Sequence, residues 1–408
     1  MSKKISVIGQ GFVGLPITLL LAEKNFIVFG YDINHKLIDK LTTGTYGDRN
    51  ENEDQVIKLY KQQYKKNNLS FSSSIVKSDI YVICVPTPIK KNKTSDLSYV
   101  NAAIKKITPL LEKDNTIIIE STISIGSIDL IQKKIKKNIN KINLAYCPER
   151  VLPGNAINEL VNNDRIIGGI DKKSSLIAKQ FYQIFVKGKI HITSVGVAEF
   201  VKLAENAYRD VNIAYANELS VLCEKSKVDY NEVIRLSNQH PRVNILNPSI
   251  GVGGHCIPID PWFLIENNKN NFSVIKNSRI VNKRKTLYVA KKIISLIKNA
   301  QKLSTIKNIF FMGLTYKPNI SDLRESPAVE IIEMVSKKIK KNIFVNDPYI
   351  SKNIFSHNKN IKSTSIITGT SKSQVIIILV AHNEYKDIHK FIRKHHYIYD
   401  GCNLLKNV

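Results

Sequence analysis

The stretch Gly251-Val252-Gly253-Gly254-His255-Cys256-Ile257-Pro258-Ile259-Asp260-Pro261 sets one thiol among glycines, with a carboxylate four residues on. Glycines let backbone and ligand approach closely, and proline fixes the turn that follows. A thiolate is a strong nucleophile once its ordinary pKa of about 8.5 is offset by a nearby cation or amide dipole. A metal pair made from His255 and Cys256 is the competing reading, although no third ligand is spaced to join them. Cys84 differs: inside Tyr81-Val82-Ile83-Cys84-Val85 it reads as a buried, inert thiol. Near the N-terminus, Gly9-Gln10-Gly11-Phe12-Val13-Gly14 has the spacing of a dinucleotide fingerprint. Such a motif alone is weak evidence. Here it follows a strand, opens a helix, and precedes Asp32 at the end of the next strand, where a carboxylate binds both ribose hydroxyls. That carboxylate favours NAD over NADP, whose 2′-phosphate it would repel. A hydride acceptor together with a cysteine able to hold an acyl group suggests oxidation past the aldehyde.

Other candidates are less sharp. Lys202 and Asn206 stand four apart on one helix face, which Arg209 extends. They read either as a solvated stripe or as an amide and a cation able to stabilise an oxyanion. Tyr316-Lys317-Pro318-Asn319 and Asp322-Leu323-Arg324-Glu325-Ser326-Pro327 follow a C-terminal strand and carry two cations, suited to an anionic group. Lys386 to His396, with His389, His395 and His396, has no supporting carboxylate cluster and reads as a solvated helix face.

The elements that must position these residues alternate. Ile5 to Ile8 reads as a buried strand running into the glycine turn, and Leu15 to Lys24 as a helix with Pro16 in its first turn. Strands follow at Phe26 to Tyr31, Asp79 to Val85, Thr116 to Glu120 and Asn143 to Tyr146, the last before Cys147-Pro148-Glu149-Arg150. Strands alternating with helices indicate a parallel, doubly wound α/β sheet. Its ligands lie at the carboxyl ends of strands, where Thr87, Thr122 and Glu149 fall. From about Val197, apolar residues recur at helical spacing through Leu222, on more than one face, as in a helix that links domains or forms a dimer interface. Helical segments continue to about Ile297. A second α/β unit then runs through strand Asn308 to Met312, helix Ala328 to Lys338, strand Asn342 to Val345 and strand Gln374 to Val380. Its first turn, Gly313-Leu314-Thr315-Tyr316, is no dinucleotide fingerprint.

Composition narrows the class without deciding it. The 408 residues, 43% of them hydrophobic, suffice for two or three domains. Lys+Arg 61 against Asp+Glu 34 gives a net charge of +27, but the cations are scattered, as in Lys133 to Asn138. Without an aromatic-interleaved stripe they read as solvated faces, and no nucleic-acid partner is expected. Five cysteines, odd in number and widely spaced, argue against a disulfide framework or a structural zinc site. No apolar run reaches the roughly 18 residues of a spanning helix, so no membrane insertion and a cytoplasmic location are expected.

Ala145-Tyr146-Cys147-Pro148-Glu149-Arg150-Val151-Leu152-Pro153-Gly154, Arg209-Asp210-Val211-Asn212-Ile213-Ala214 and His240-Pro241-Arg242-Val243-Asn244-Ile245-Leu246 add to the cysteine segment, Trp262-Phe263 and the Tyr316 to Pro327 loop. In this order, over nearly the whole chain, they resemble the nucleotide-sugar 6-dehydrogenase family, the UDP-glucose/GDP-mannose dehydrogenases. The resemblance implies an N-terminal NAD-binding Rossmann domain (1–196), a central long-helix dimerisation region (197–299) and a C-terminal Rossmann-like UDP-binding domain (300–408). It implies a homodimer through the central helix and NAD-dependent oxidation of a UDP-N-acetylhexosamine at C6, for surface polysaccharide. In that scheme Cys256 holds a thiohemiacetal and then a thioester. Lys202 and Asn206 stabilise oxygen charge, Asp260 positions water or acts as a base, and Glu149 assists hydrolysis. Arg150, Val151, Arg209, His240, Arg242 and Gly253 match positions around the sugar nucleotide. Tyr316 and Lys317 match the UDP side. Gly9, Gly11, Phe12, Val13, Gly14, Asp32, Thr87, Thr122 and Arg324 match cofactor contacts. One departure stands out: Asp400-Gly401-Cys402-Asn403 replaces the family's Asp, basic residue and Gly-x-Trp end. Outside this resemblance, a two-electron hydroxy-acid dehydrogenase would leave Cys256 and the C-terminal unit idle. A non-enzymatic polyanion binder would rest on charge alone.

Overall fold

Runs of β-branched residues build the centre of each sheet, because such side chains fit a pleated surface buried on both faces. The computed structural model describes residues 3–47, 54–136, 139, 141–151, 154–268, 271–351 and 353–405. Leu152-Pro153 and Lys137-Asn138, named above, lie outside the described residues. The chain divides into two units, 1–205 with 262–267, and 206–261 with 268–408.

In the first unit the strands are β1 (Lys4–Ile8), β2 (Ile27–Tyr31), β3 (Leu69–Ser72), β4 (Ile80–Ile83), β5 (Thr116–Ile119), β6 (Asn143–Tyr146), β7 (Arg165–Gly169) and β8 (Ile190–Ser194). They form one sheet in the order β3-β2-β1-β4-β5-β6-β7-β8. The expected parallel sheet holds from β3 to β6, but β6 pairs β7 antiparallel before β8 resumes the parallel sense. Central strands β4, β5 and β6 are buried at every position, whereas edge strand β8 is not. Helix Gly14–Glu23 buries nearly all its residues against this sheet, including Leu15, Ile17 and Leu19. Asp171 starts helix Lys172–Tyr182 by accepting the Ser174 N–H at 2.7 Å, satisfying a donor that a helix end leaves open.

In the second unit β9 (Asn308–Met312), β10 (Asn342–Asn346), β11 (Ile361–Ser363), β12 (Val375–Ile378) and β13 (Tyr397–Asp400) form a parallel sheet ordered β11-β10-β9-β12-β13. Helix Pro327–Lys338 carries Pro327 at its first position, and Ser326 accepts from the Val329 N–H. The long helix expected from Val197 spans Val195–Lys225. Helical segments continue past Ile297, as expected, to Leu303. Helix Tyr230–Ser237 gives way to an irregular segment, the five-residue helix Asp260–Leu264, and then helix Ser273–Leu303. Lys386 to His396 is not a helix face: one 3-10 turn spans Ile388–Phe391, after another at Asn383–Tyr385.

The two sheets repeat one device. Gly9 donates its N–H to Tyr31 O at 2.8 Å, and Gly313 donates to Asn346 O at 2.8 Å. The next residue then donates to a carboxylate, Gln10 to Asp32 and Leu314 to Asp347, each at 2.7 Å. In the second unit buried His382 closes the site: its Nε2 lies 3.0 Å from Asp347 Oδ2, and its Nδ1 accepts the Asn319 N–H at 3.0 Å. The duplicated carboxylate is thus spent on holding the loop that carries Tyr316 and Lys317.

Candidate active site

In the first unit the chain leaves β1 through Gly9, whose φ of 93° belongs to the left-handed region glycine favours. A Cβ on Gly14 would lie 1.7 Å from Gly9 O, so helix and turn can meet only without one. At Gly11 nothing lies within 4 Å of the Cβ position. That opening suits a pyrophosphate set against helix amides. Phe12 is exposed, and Val13 caps the helix. Asp32 accepts the Gln10 N–H through Oδ2 at 2.7 Å and the Asn34 N–H through Oδ1 at 2.8 Å, fixing its carboxylate beside the turn. Thr87 and Thr122 are half-buried beyond β4 and β5, and Ser121 ties these loops together by donating to Val85 O at 2.7 Å.

Beyond β6, Glu149 meets Lys202 of the long helix. Lys202 Nζ donates to Glu149 O at 2.7 Å and to its Oε1 at 3.1 Å, while Oε2 accepts the Val151 N–H at 2.8 Å. Lys202 is only 5% exposed, so the solvated-stripe reading fails there. Arg150 pairs with Glu205 through two nitrogens, and burial lowers its guanidinium from the usual value. Neither Glu205 nor the buried trio Glu120, Arg165 and Tyr182 is singled out by sequence reasoning. Arg165 Nη1 donates to Glu120 at 3.0 Å. Cys147 is buried and Cys84 half-buried; desolvation, reinforced by the Glu120 charge, pushes both thiols well above their ordinary value.

In the second unit Cys256 is half-buried, with Sγ 3.6 Å from His255 Nε2. Its carbonyl accepts the N–H groups of Ile259 at 3.0 Å and Asp260 at 2.8 Å, one tight turn that brings Asp260 back beside the cysteine segment. Asp260 is buried and accepts from Asn206 Nδ2 at 2.7 Å. Gly253 packs where a Cβ would stand 2.5 Å from Tyr316 Cβ, and the Gly254 N–H donates to Arg324 O at 2.9 Å. Burial pushes the Tyr316 phenol up to about 12. Arg324 grips Asp322 through Nε (2.9 and 3.0 Å) and Nη2 (2.6 Å). Burial alone would raise Asp322, but these bonds hold it below the usual carboxylate range. The two-residue spacing of Asp322 and Arg324 was the available signal for this pair. Arg209, His240, Arg242 and Lys317 are exposed, and the structure does not draw their side chains into the Cys256 group. Among the described residues no group of three or more His, Cys, Asp or Glu could hold a metal ion. The departing C-terminal segment turns about Asp400, which accepts from the N–H groups of Cys402 and Leu405, and is tied to helix Tyr230–Ser237, where Asn403 donates to the Tyr230 hydroxyl at 2.8 Å.

Comparison with known proteins matches three family models in order. They are the NAD binding domain (residues 3–186), central domain (196–284) and UDP binding domain (310–407) of the UDP-glucose/GDP-mannose dehydrogenase family. The UDP-N-acetyl-D-mannosamine dehydrogenase of Methanocaldococcus jannaschii is 44% identical over 395 residues, 96% of this chain and 88% of that protein. Among solved structures, UDP-D-ManNAc dehydrogenase from Pyrococcus horikoshii is 33% identical, with a TM-score of 0.88 over 98% of this chain and 96% of that one. The UDP-N-acetyl-mannosamine dehydrogenase of Staphylococcus aureus is 36% identical, with a TM-score of 0.87 over 98% and 95%.

Proposed function

The chain belongs to the UDP-glucose/GDP-mannose dehydrogenase family, NAD-dependent enzymes acting on nucleotide sugars, and from that premise we propose a four-electron oxidation of UDP-N-acetyl-D-mannosamine at C6. The observation that carries this choice of sugar is likeness along nearly the whole chain to relatives of that name. The open face at Gly11 and the fixed Asp32 carboxylate fit NAD. When bound, NAD supplies an acceptor for one hydride at a time, so two molecules account for four electrons.

The protein's own part is to hold carbon and move protons. After the C6 alcohol becomes an aldehyde, the Cys256 thiolate adds to the carbonyl carbon, and the oxygen takes a proton to give a thiohemiacetal. That tetrahedral carbon can lose a second hydride, as an unhydrated aldehyde cannot easily do, leaving a thioester. Water then breaks the C–S bond, releasing the carboxylate and restoring the thiol. Lys202 and Asn206, one helical turn apart, stabilise charge developing on the oxygen. Asp260, held by Asn206, positions water or takes a proton, and Glu149 assists the hydrolysis. Arg150, Val151, Arg209, His240, Arg242 and Gly253 surround the sugar nucleotide, Tyr316 and Lys317 its uridine diphosphate, and Thr87, Thr122 and Arg324 the cofactor. The domains run 1–196, 197–299 and 300–408. The central helix pairs two copies, and the enzyme works in the cytoplasm.

Purified protein offered UDP-ManNAc, UDP-GlcNAc and UDP-glucose with NAD⁺ tests the proposal. Two NADH per UDP-ManNAc is the expected result. Turnover of UDP-GlcNAc alone would move the assignment to the epimer, and one NADH per sugar would contradict the thioester.

A further inference from the structure

A line of buried side chains connects helices Val195–Lys225 and Ser273–Leu303 to the cysteine segment. Asp210, Asn217 and Asn282 are essentially inaccessible, and Arg279 nearly so. Arg279 Nη1 and Asn282 Nδ2 both donate to Asp210 Oδ1, the latter at 2.7 Å. Asn217 Nδ2 donates to Asn282 Oδ1 at 2.9 Å, and the Ser249 N–H donates to Asn217 Oδ1 at 2.8 Å. Ser249 Oγ then donates to Gly251 O at 2.7 Å.

The two amides have no freedom of orientation. One end of the line is a backbone N–H, which can only donate. The other is an ion-paired carboxylate, which accepts. Every N–H from Ser249 to Asp210 must therefore point the same way, and aligned hydrogen bonds in a dry interior reinforce one another. At the Gly251 end the segment rests on helix Ser273–Leu303, since a Cβ on Gly251 would lie 2.1 Å from Thr286 Oγ1.

We propose that Asn217 and Asn282 are positioning residues, a one-way relay anchored at Asp210 that sets the path of Ser249 to Gly251 and so the placement of the Cys256 thiol. The proposal rests on the reading of Cys256 as the acyl carrier. Asn217→Asp is nearly isosteric and keeps the acceptor for Ser249. It removes the donor and sets oxygen against Asn282 Oδ1, and turning Asn282 over would forfeit its bonds to Asp210.

Asn217→Asp should lower kcat at least tenfold at neutral pH, leave the KM for NAD⁺ within twofold, and change the rate of Cys256 alkylation by iodoacetamide at least threefold. The variant-to-wild-type kcat ratio should rise as pH falls, because protonating the introduced carboxylate restores a donor toward Asn282. A kcat and an alkylation rate both within twofold of wild type would overturn the relay. Should the variant not fold, hydrogen exchange on the wild-type enzyme decides. Ser249 N–H protected like the interior amides of helix Val195–Lys225 supports the relay, and exchange as fast as Asn247 overturns it. Normal turnover by Cys256→Ala would remove the thioester instead, while alkylation and exchange would still report on the relay.

Discussion

Lys202 and Glu149 neutralise each other out of water, so each is costly to remove alone. Breaking a buried pair from one side leaves an uncompensated charge, at a cost of about 3 kcal/mol. Lys202→Met should lose roughly that stability in thermal denaturation and at least a hundredfold in kcat. Adding Glu149→Gln should recover part of the stability and none of the activity. Tyr316 behaves differently. Burial raises its phenol to about 12, favouring the protonated form, so the side chain stays neutral and able to donate across the working range. The pH profile of kcat/KM for Tyr316→Phe should therefore keep the wild-type shape up to about pH 10, and a lost ionisation below that would contradict this assignment. Cys256 was legible because glycines and Asp260 set it apart from Cys84 in its apolar strand. The partners Glu205, Asn217 and Asn282 were not, since their contacts join residues far apart in the chain.

At the scale of elements, the glycine turn separates folding from binding. Gly14→Ala places a methyl on Gly9 O and should destabilise the whole first unit. Gly11→Ala meets nothing within 4 Å and should leave the melting temperature within about 2 °C, while raising the KM for NAD⁺ at least tenfold. Equal loss of stability in the two would contradict the division. The central strands could be read within a residue or two because both faces are buried. Edge strands β3, β8, β11 and β13 escaped because their partial burial leaves no continuous apolar run. The antiparallel β6–β7 pair escaped too: it depends on which strand lies alongside, not on local composition. The short turns around Ile388 passed for a helix because their lysines and histidines fit any solvated face.

For the molecule as a whole, the +27 charge is spread over surfaces and says little about chemistry. No helix among the described residues is long and apolar enough to cross a membrane. The apolar residues left outside are more informative. Tyr208, Tyr215 and Leu222 on the long helix are 70%, 57% and 60% exposed, at a spacing near seven that puts them along one stripe. A second copy of the chain is the occupant the homodimer reading requires. Tyr215→Glu with Leu222→Glu should halve the mass seen by light scattering, and an unchanged mass would rule this stripe out. Duplicated α/β architecture was legible from the strand pattern. In the second half the equivalent carboxylate, Asp347, is engaged by buried His382, a contact that no local motif announces.

The most direct test is to quench the enzyme in acid during turnover of UDP-ManNAc and NAD⁺ and to map its five cysteines by mass spectrometry. A sugar-nucleotide acyl group on the Cys256 peptide, absent from Cys84, Cys147, Cys223 and Cys402 and lost in Cys256→Ala together with turnover, is the predicted result. Two NADH per sugar at the wild-type rate from Cys256→Ala would contradict it.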